Sequence, residues 1–198
     1  MGFSGHLVFA RSNRPLLQAP LFDSLDGELK TSVCTWESRA GGWQTLQFNF
    51  GTWDDANLPA LVEWSGAPAC AAQVSDSDVA LVTGLNATGH RWQAWLNLDI
   101  AARLLVEEPE DLEDQLLWLD TPEFHEAAGH KHAELDAEIP ADAAGAVVWA
   151  AAADIPVTPR TGRIEELLRS HQTPVEDLFS TLLDELGFPQ AAEPSPAP

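Results

Sequence analysis

The chain has no tyrosine, one methionine, two cysteines and two lysines in 198 residues, and it is short of positive charge altogether, with 10 Lys and Arg against 31 Asp and Glu. Each shortage excludes something. Cys34 and Cys70 lie far from C-x-x-C spacing and are too few to staple a chain of this length, so a disulfide scaffold is excluded and both are expected as reduced core thiols. No apolar run approaches the ~20 residues of a membrane span. The opening MGFSGHLVFARSNRP lacks the basic and continuous apolar regions of a signal peptide, and its Met-Gly start departs from the myristoylation pattern at His6, where Ser or Thr is required. A soluble, cytoplasmic protein is expected. Few lysines with abundant Ala, Gly, Pro and Asp suit a GC-rich bacterial genome.

The net charge of −21 is uneven. Residues 1–100 hold 10 acidic against 5 basic side chains and residues 101–198 hold 21 against 5, so the second half carries −16. A field of that sign repels phosphate backbones and anionic lipid, which bind through Lys and Arg, so neither nucleic acid nor a membrane surface is an expected partner.

What is present is apolar and aromatic: 45% hydrophobic residues with eight Trp and eight Phe, enough for a substantial core. Short apolar or alternating runs at 5–11, 43–50, 69–74, 79–85 and 91–98, separated by turn-forming SDSD and NATGH, predict an antiparallel meander. In WQTLQFNF, Leu46, Phe48 and Phe50 share one parity and Trp43, Thr45, Gln47 and Asn49 the other, which predicts a sheet with one buried face. LPALVEW (58–64), with Pro59 in its first turn and Gly66 beyond its end, predicts a short helix.

After Asp99 the pattern turns helical. Asp99 is the expected cap of IAARLLVEE, Thr121-Pro122 opens a helix over 121–138, and 141–154 is a second, alanine-rich one. RIEELLRS (163–170) and PVEDLFSTLLDEL (174–186) complete the set. The last shows a Thr173/Glu176 capping box, Gly187 as its stop, and Val175, Leu178, Phe179, Leu182 and Leu186 on one face. The expectation is an α+β fold: a β-rich half at 1–100, a helical half at 101–188 packed on or beside it as one cooperative unit, and a disordered tail at 189–198.

No stretch names a reaction. GFSGH is not a G-x-S-x-G elbow, an EF-hand loop is absent, and SDSD reads as a turn. TPEFHEAAGHKHAELDAE (121–138) carries three histidines, but at ~100° per residue His130 falls opposite His125 and His132. The latter two stand seven residues apart, where the zincin spacing is i, i+4. No metal and no cofactor is expected. Glu123, Glu126, His130 and Glu134 instead form a polar stripe away from the Phe124, Ala128, Leu135, Ile139 face.

Two function classes follow. The first is a noncatalytic acidic protein, a regulator or an inhibitor or immunity-type partner of a basic protein. It would bind through the run Glu107, Glu108, Asp111 and Asp114 and the stripe Glu123, Glu126, His130 and Glu134. The second is an enzyme or a small-ligand or carbohydrate-binding protein. It would use carboxylates such as Asp54, Asp55, Asp76 or Asp78 in a cleft between sheet and helices, with outward aromatic rings at Trp43, Trp92 or Trp95. Cover by helices is the plainer fate of such rings.

Overall fold

In a computed structural model that describes residues 2–23, 25, 27–49, 51–107, 109, 115–156, 158–188 and 190, the N-terminal half is an antiparallel sheet and the C-terminal half is helical, packed beside it. In chain order the elements are β1 (Gly5–Arg11), α1 (Gly27–Ser32), β2 (Cys34–Thr35), β3 (Trp43–Asn49), α2 (Leu58–Ser65), β4 (Ala69–Ser75), β5 (Val79–Leu85) and β6 (Arg91–Leu96). Then follow α3 (Leu98–Leu104), α4 (Gln115–Trp118), α5 (Pro122–Ala151), α6 (Thr161–Leu168) and α7 (Val175–Glu185). Short 3₁₀ turns occupy Leu16–Gln18, Pro20–Phe22 and Asp55–Asn57.

The sheet order is β2-β3-β1-β4-β5-β6. β4, β5 and β6 form the expected meander, while β1 inserts between β3 and β4, with Phe9 opposite Thr45 on one side and Cys70 on the other. That central place suits β1, whose run GHLVFAR is buried as far as Ala10. The hairpin between β4 and β5 turns on Asp76 and Ser77, both at positive φ, as expected of SDSD.

Strand alternation predicts one buried face, with helices as the plainer cover for the outward Trp rings, and both faces are buried. Leu7, Phe9, Trp43, Cys70, Ala72, Val82, Trp92 and Leu96 meet Ile139, Ala146, Trp149, Ile164, Phe179 and Phe188 of the helical half. On the opposite face Val8, Leu46 and Phe48 are covered by Leu16, Phe22, Trp53, Leu58 and Leu61, from turns and a helix within the first half. The alternation in β3 is thus between two apolar environments. Phe50 lies outside the described residues.

α5 is one helix of 30 residues, ~45 Å long, where two segments were expected, and it runs through Pro140. Pro140 is exposed, so water can reach the carbonyl that its ring leaves without a donor. Thr121 caps it as expected, its Oγ1 accepting from Phe124 N. Two other caps differ. α3 starts after Asn97, whose left-handed φ of 60° and buried amide bonding Asp78 O and Gln172 place the turn before Asp99. α7 starts at Val175 with Pro174 before it: Val175 N donates to Ser77 O and Ser77 Oγ donates to Glu176 Oε1, so the β4–β5 hairpin replaces the Thr173 capping box. Its stop is as read, with Gly187 at φ 95° and Phe188 N donating to Leu183 O.

Two close approaches lock the layers. A Cβ on Gly84 would meet Trp92 Nε1 at 2.0 Å, and one on Gly145 would meet Trp92 Cβ at 3.0 Å, so the Trp92 side chain packs between a bare strand position and a bare helix position. Arg39, 5% exposed, crosses from the β2–β3 connection to α7, donating to Asp184, to Ser180 O and Oγ, and to Phe188 O. Gln190 pairs with the Arg39 backbone, and the rest of the 189–198 segment lies outside the described residues. Cys70 is buried as expected; Cys34, expected in the core, is exposed on the two-residue edge strand β2, and both thiols are free.

Candidate functional site: the acidic outer face of α5

α5 packs with Phe124, Ala128 and Ile139 inward, the face that helical spacing marks in the sequence, and Ala143, Ala146 and Trp149 continue it beyond the expected end of the helix. Its outer side then has to carry the charge. Glu123, Glu126, His130, Glu134 and Glu138 are all exposed, as are His125 and His132. Lys131 is the sole Lys or Arg of this helix, and its Nζ donates to Glu134 Oε2 at 2.6 Å. That bond and the charge of Glu134 raise the lysine's pKa, with smaller contributions from Glu107 and Glu138, which places Glu107 of the chain beyond α3 beside the same patch. Lys131 in turn holds the Glu134 carboxyl below its ordinary value, with a small contribution from His130. Glu108, Asp111 and Asp114 lie outside the described residues.

The N-terminal end of this face also gathers exposed apolar side chains. Arg103 lies over the Phe124 ring at 5.3 Å and Trp118 meets the same ring edge-on at 4.9 Å, so the ends of α3, α4 and α5 converge there. Leu104 and Leu117, next in sequence to those two, are 61% and 70% exposed. Exposed leucines beside carboxylates resemble the anchor and rim of a protein interface. No sequence periodicity marks Leu104 and Leu117, because exposure of a leucine depends on how α3 and α4 end.

The three candidate aromatic rings divide differently. Trp43, 2% exposed, stacks on Phe9 at 5.1 Å and meets Phe188 edge-on at 4.6 Å; Trp92, 5% exposed, lies 5.8 Å from Trp149. Both rings are covered by the helical half and neither presents a face to a sugar. Trp95, of opposite parity to Trp92, is partly exposed and lines a small void with Leu98, Leu135, Ile139, Asp142 and Leu168. Of the four candidate carboxylates, two serve their own turns, Asp54 accepting from Ala56 N and Asp55 from Trp53 Nε1, and Asp76 accepts from Gly2 N of the segment before β1. Among the described residues no three His, Cys, Asp or Glu side chains gather as a metal site, and no helix is long and apolar enough to cross a membrane.

One arrangement had no signal in the sequence. Asp99 Oδ1 lies 3.0 Å from His171 Nδ1, and His171 Nε2 lies 3.4 Å from Thr173 Oγ1. The order carboxylate, imidazole, hydroxyl is that of a nucleophile relay, but the His171 and Asp99 side chains are 51% and 56% exposed. Water therefore screens the pair, and its evident effect is to tie the start of α3 to the segment leading into α7.

Asp142, half-buried on α5, has its carboxyl pushed up from 3.8 to about 6, first by burial and then by the charge of Glu138. The folded state therefore holds this proton more tightly than the unfolded chain. The stabilisation is complete below the unfolded value, declines as pH rises toward 6, and is gone above it. The whole shift would be worth ~3 kcal/mol, but the group is still half solvated, so about 1 kcal/mol is expected. Asp142→Asn should gain about that much over wild type at pH 7 and little at pH 4 in urea unfolding. His6, lowered by burial and opposed by Asp55 and Asp54, loses stability as pH falls through 6.5, and it cancels in the comparison because both proteins contain it.

No family model matches the chain, and neither does any curated protein or solved structure. The surface itself is therefore the basis for assigning a role.

Proposed function

We propose that the protein acts without catalysis in the cytoplasm, by docking a basic protein surface onto the outer face of α5 and the adjoining ends of α3 and α4. The observation that carries this reading is the composition of that face: Glu123, Glu126, Glu134 and Glu138 are exposed along one helix, and its one basic side chain other than histidine is already paired with Glu134. Like charges at this spacing repel one another and cost the helix a few tenths of a kcal/mol per pair. A cationic partner relieves that repulsion, and Leu104 and Leu117 supply apolar contact next to it. The carboxylate-cleft alternative has less support, since Asp54 and Asp55 are engaged in local turns, Asp76 accepts from the backbone of Gly2, and Trp43 and Trp92 are covered.

Cross-linking in cells compares wild type with a variant carrying Glu123→Gln, Glu126→Gln, Glu134→Gln and Glu138→Gln. The expected result is one cross-linked protein with a basic surface, recovered from wild type and reduced by about tenfold with the variant, the loss of ~1.4 kcal/mol of binding energy. Equal recovery from both would contradict the proposal. Circular dichroism of the variant should be unchanged, because all four side chains project from the surface.

A further inference from the structure

Among the described residues six of the ten Lys and Arg side chains have no ion-pair partner: Arg11, Arg14, Lys30, Arg91, Arg103 and Arg160. Arg11 and Arg14 are both exposed. They line the same cleft, of about 580 Å³, with Ser12, Asn13, Trp64 and Ser65. The cleft sits where β1 ends and α2 hands the chain to β4, so it belongs to a different region from the acidic face of α5.

Each guanidinium is held by something other than an acid. Arg14 Cζ lies over the Trp64 ring at 5.2 Å from its centroid, a cation–π contact. Arg11 donates Nε–H to Gly41 O at 3.1 Å and keeps its two terminal nitrogens unassigned. Arginines orientated in this way present the paired donors that bind the oxygens of a carboxylate or phosphate. The Ser12 hydroxyl and the Asn13 amide add neutral donors to the same wall, while the Ser65 hydroxyl is used on the carbonyls of Val62 and Ala67.

Arg11 also borders a second pocket, of about 220 Å³, lined by Trp43, Ala153, Ile155, Pro156 and Phe188 among others, with Asp154 as its one carboxylate. That lining is mostly apolar. A volume of ~150 Å³ accommodates a benzene ring, so this pocket has room for one aromatic ring or a short aliphatic chain. One arginine shared by a polar cleft and an apolar pocket sets the ligand's two ends. A polyanion such as a nucleic acid meets the whole −21 of the molecule, whereas a small anion meets the local field of two guanidiniums.

We propose that this end of the sheet binds a small amphipathic anion, with its oxyanion head between Arg11 and Arg14 and its apolar body against Ile155 and Pro156. The site is independent of the acidic face of α5. The head is a carboxylate or a phosphate monoester, and the probes separate these: benzoate and phenyl phosphate carry head and body, acetate and inorganic phosphate carry the head, and benzyl alcohol carries the body.

Amide chemical shifts of the full chain are followed during titration with each probe. Benzoate or phenyl phosphate should shift Ser12, Asn13, Arg14, Gly41, Ser65 and Gly66 together with Ile155, and bind at least about tenfold more tightly than acetate, phosphate or benzyl alcohol. Whichever of the two binds more tightly identifies the head. Arg14→Gln and Arg11→Gln should each weaken that probe by about tenfold or more, while Arg14→Lys, which keeps charge without the planar fork, should restore only part. The Glu123→Gln, Glu126→Gln, Glu134→Gln, Glu138→Gln variant should bind the probe as wild type does. Absence of shifts at these residues up to about 10 mM of both probes, or binding that survives both arginine substitutions, would overturn the proposal.

Discussion

A chain ending at Ala101 is expected to lose its folded monomer. The sheet face formed by Leu7, Phe9, Trp43, Val82, Trp92 and Leu96 is covered by residues that such a chain lacks, chiefly Ile139, Trp149, Ile164, Phe179 and Phe188. Each large side chain returned to water costs about 1.5–3 kcal/mol. Six of them together cost about 9–18 kcal/mol, as much as the 5–15 kcal/mol that holds a typical domain folded. Arg39 would also lose Asp184, Ser180 and Phe188 as acceptors. The opposite face, packed by Leu16, Phe22, Trp53 and Leu58, remains within the shortened chain but cannot cover both sides. Size-exclusion chromatography with a hydrophobic dye should report aggregation or a dye-binding, non-cooperative state. A monomeric, dye-silent protein with a cooperative urea transition would show that the two halves are independent units.

The second large effect is expected at Trp149. Its side chain is fully buried, its Nε1–H is shared between Ala69 O at 3.1 Å and Leu85 O at 3.0 Å, and its ring lies 5.8 Å from Trp92 and 5.6 Å from Phe188. It thereby ties the long helix to the ends of β4 and β5. Trp149→Ala removes the ring, leaves a cavity and deprives two carbonyls of their donor, for about 4–5 kcal/mol in urea unfolding. Trp149→Phe keeps most of the packing and loses the donor, for about 2 kcal/mol. Equal small losses for both would mean that neither the packing nor the shared donor supports the structure.

How much of this was legible varies by element. The five main strands and the helices at 58–64 and 174–186 could be read because their side-chain periods and stop residues are local signals. The second buried face was legible only through its Trp residues, for which helix cover was the plainer expectation, because alternation alone does not tell an apolar layer from water. The caps at Asp99 and Thr173 were misplaced for one reason: Asn97 and Ser77 supply hydrogen bonds from elsewhere in the fold, and tertiary partners override a local capping motif. Trp149 read as part of an alanine-rich helix, and its importance lies in two carbonyls 80 and 64 residues away. For the candidate site, the stripe Glu123, Glu126, His130 and Glu134 followed from helical rotation, whereas Glu107 and the exposed leucines joined it through the ends of α3 and α4.

Attraction between the outer face of α5 and a cationic protein surface is read most directly from an association rate. With the cross-linked partner purified, stopped-flow mixing at increasing salt should show the wild-type rate falling by about tenfold or more as the Debye length shrinks from ~10 Å at 0.1 M to ~3 Å at 1 M. The variant with glutamine at 123, 126, 134 and 138 should start near the high-salt rate and change little. A wild-type rate indifferent to salt, or a variant that keeps the full salt dependence, would contradict the claim and leave the acidic face as a solubilising surface.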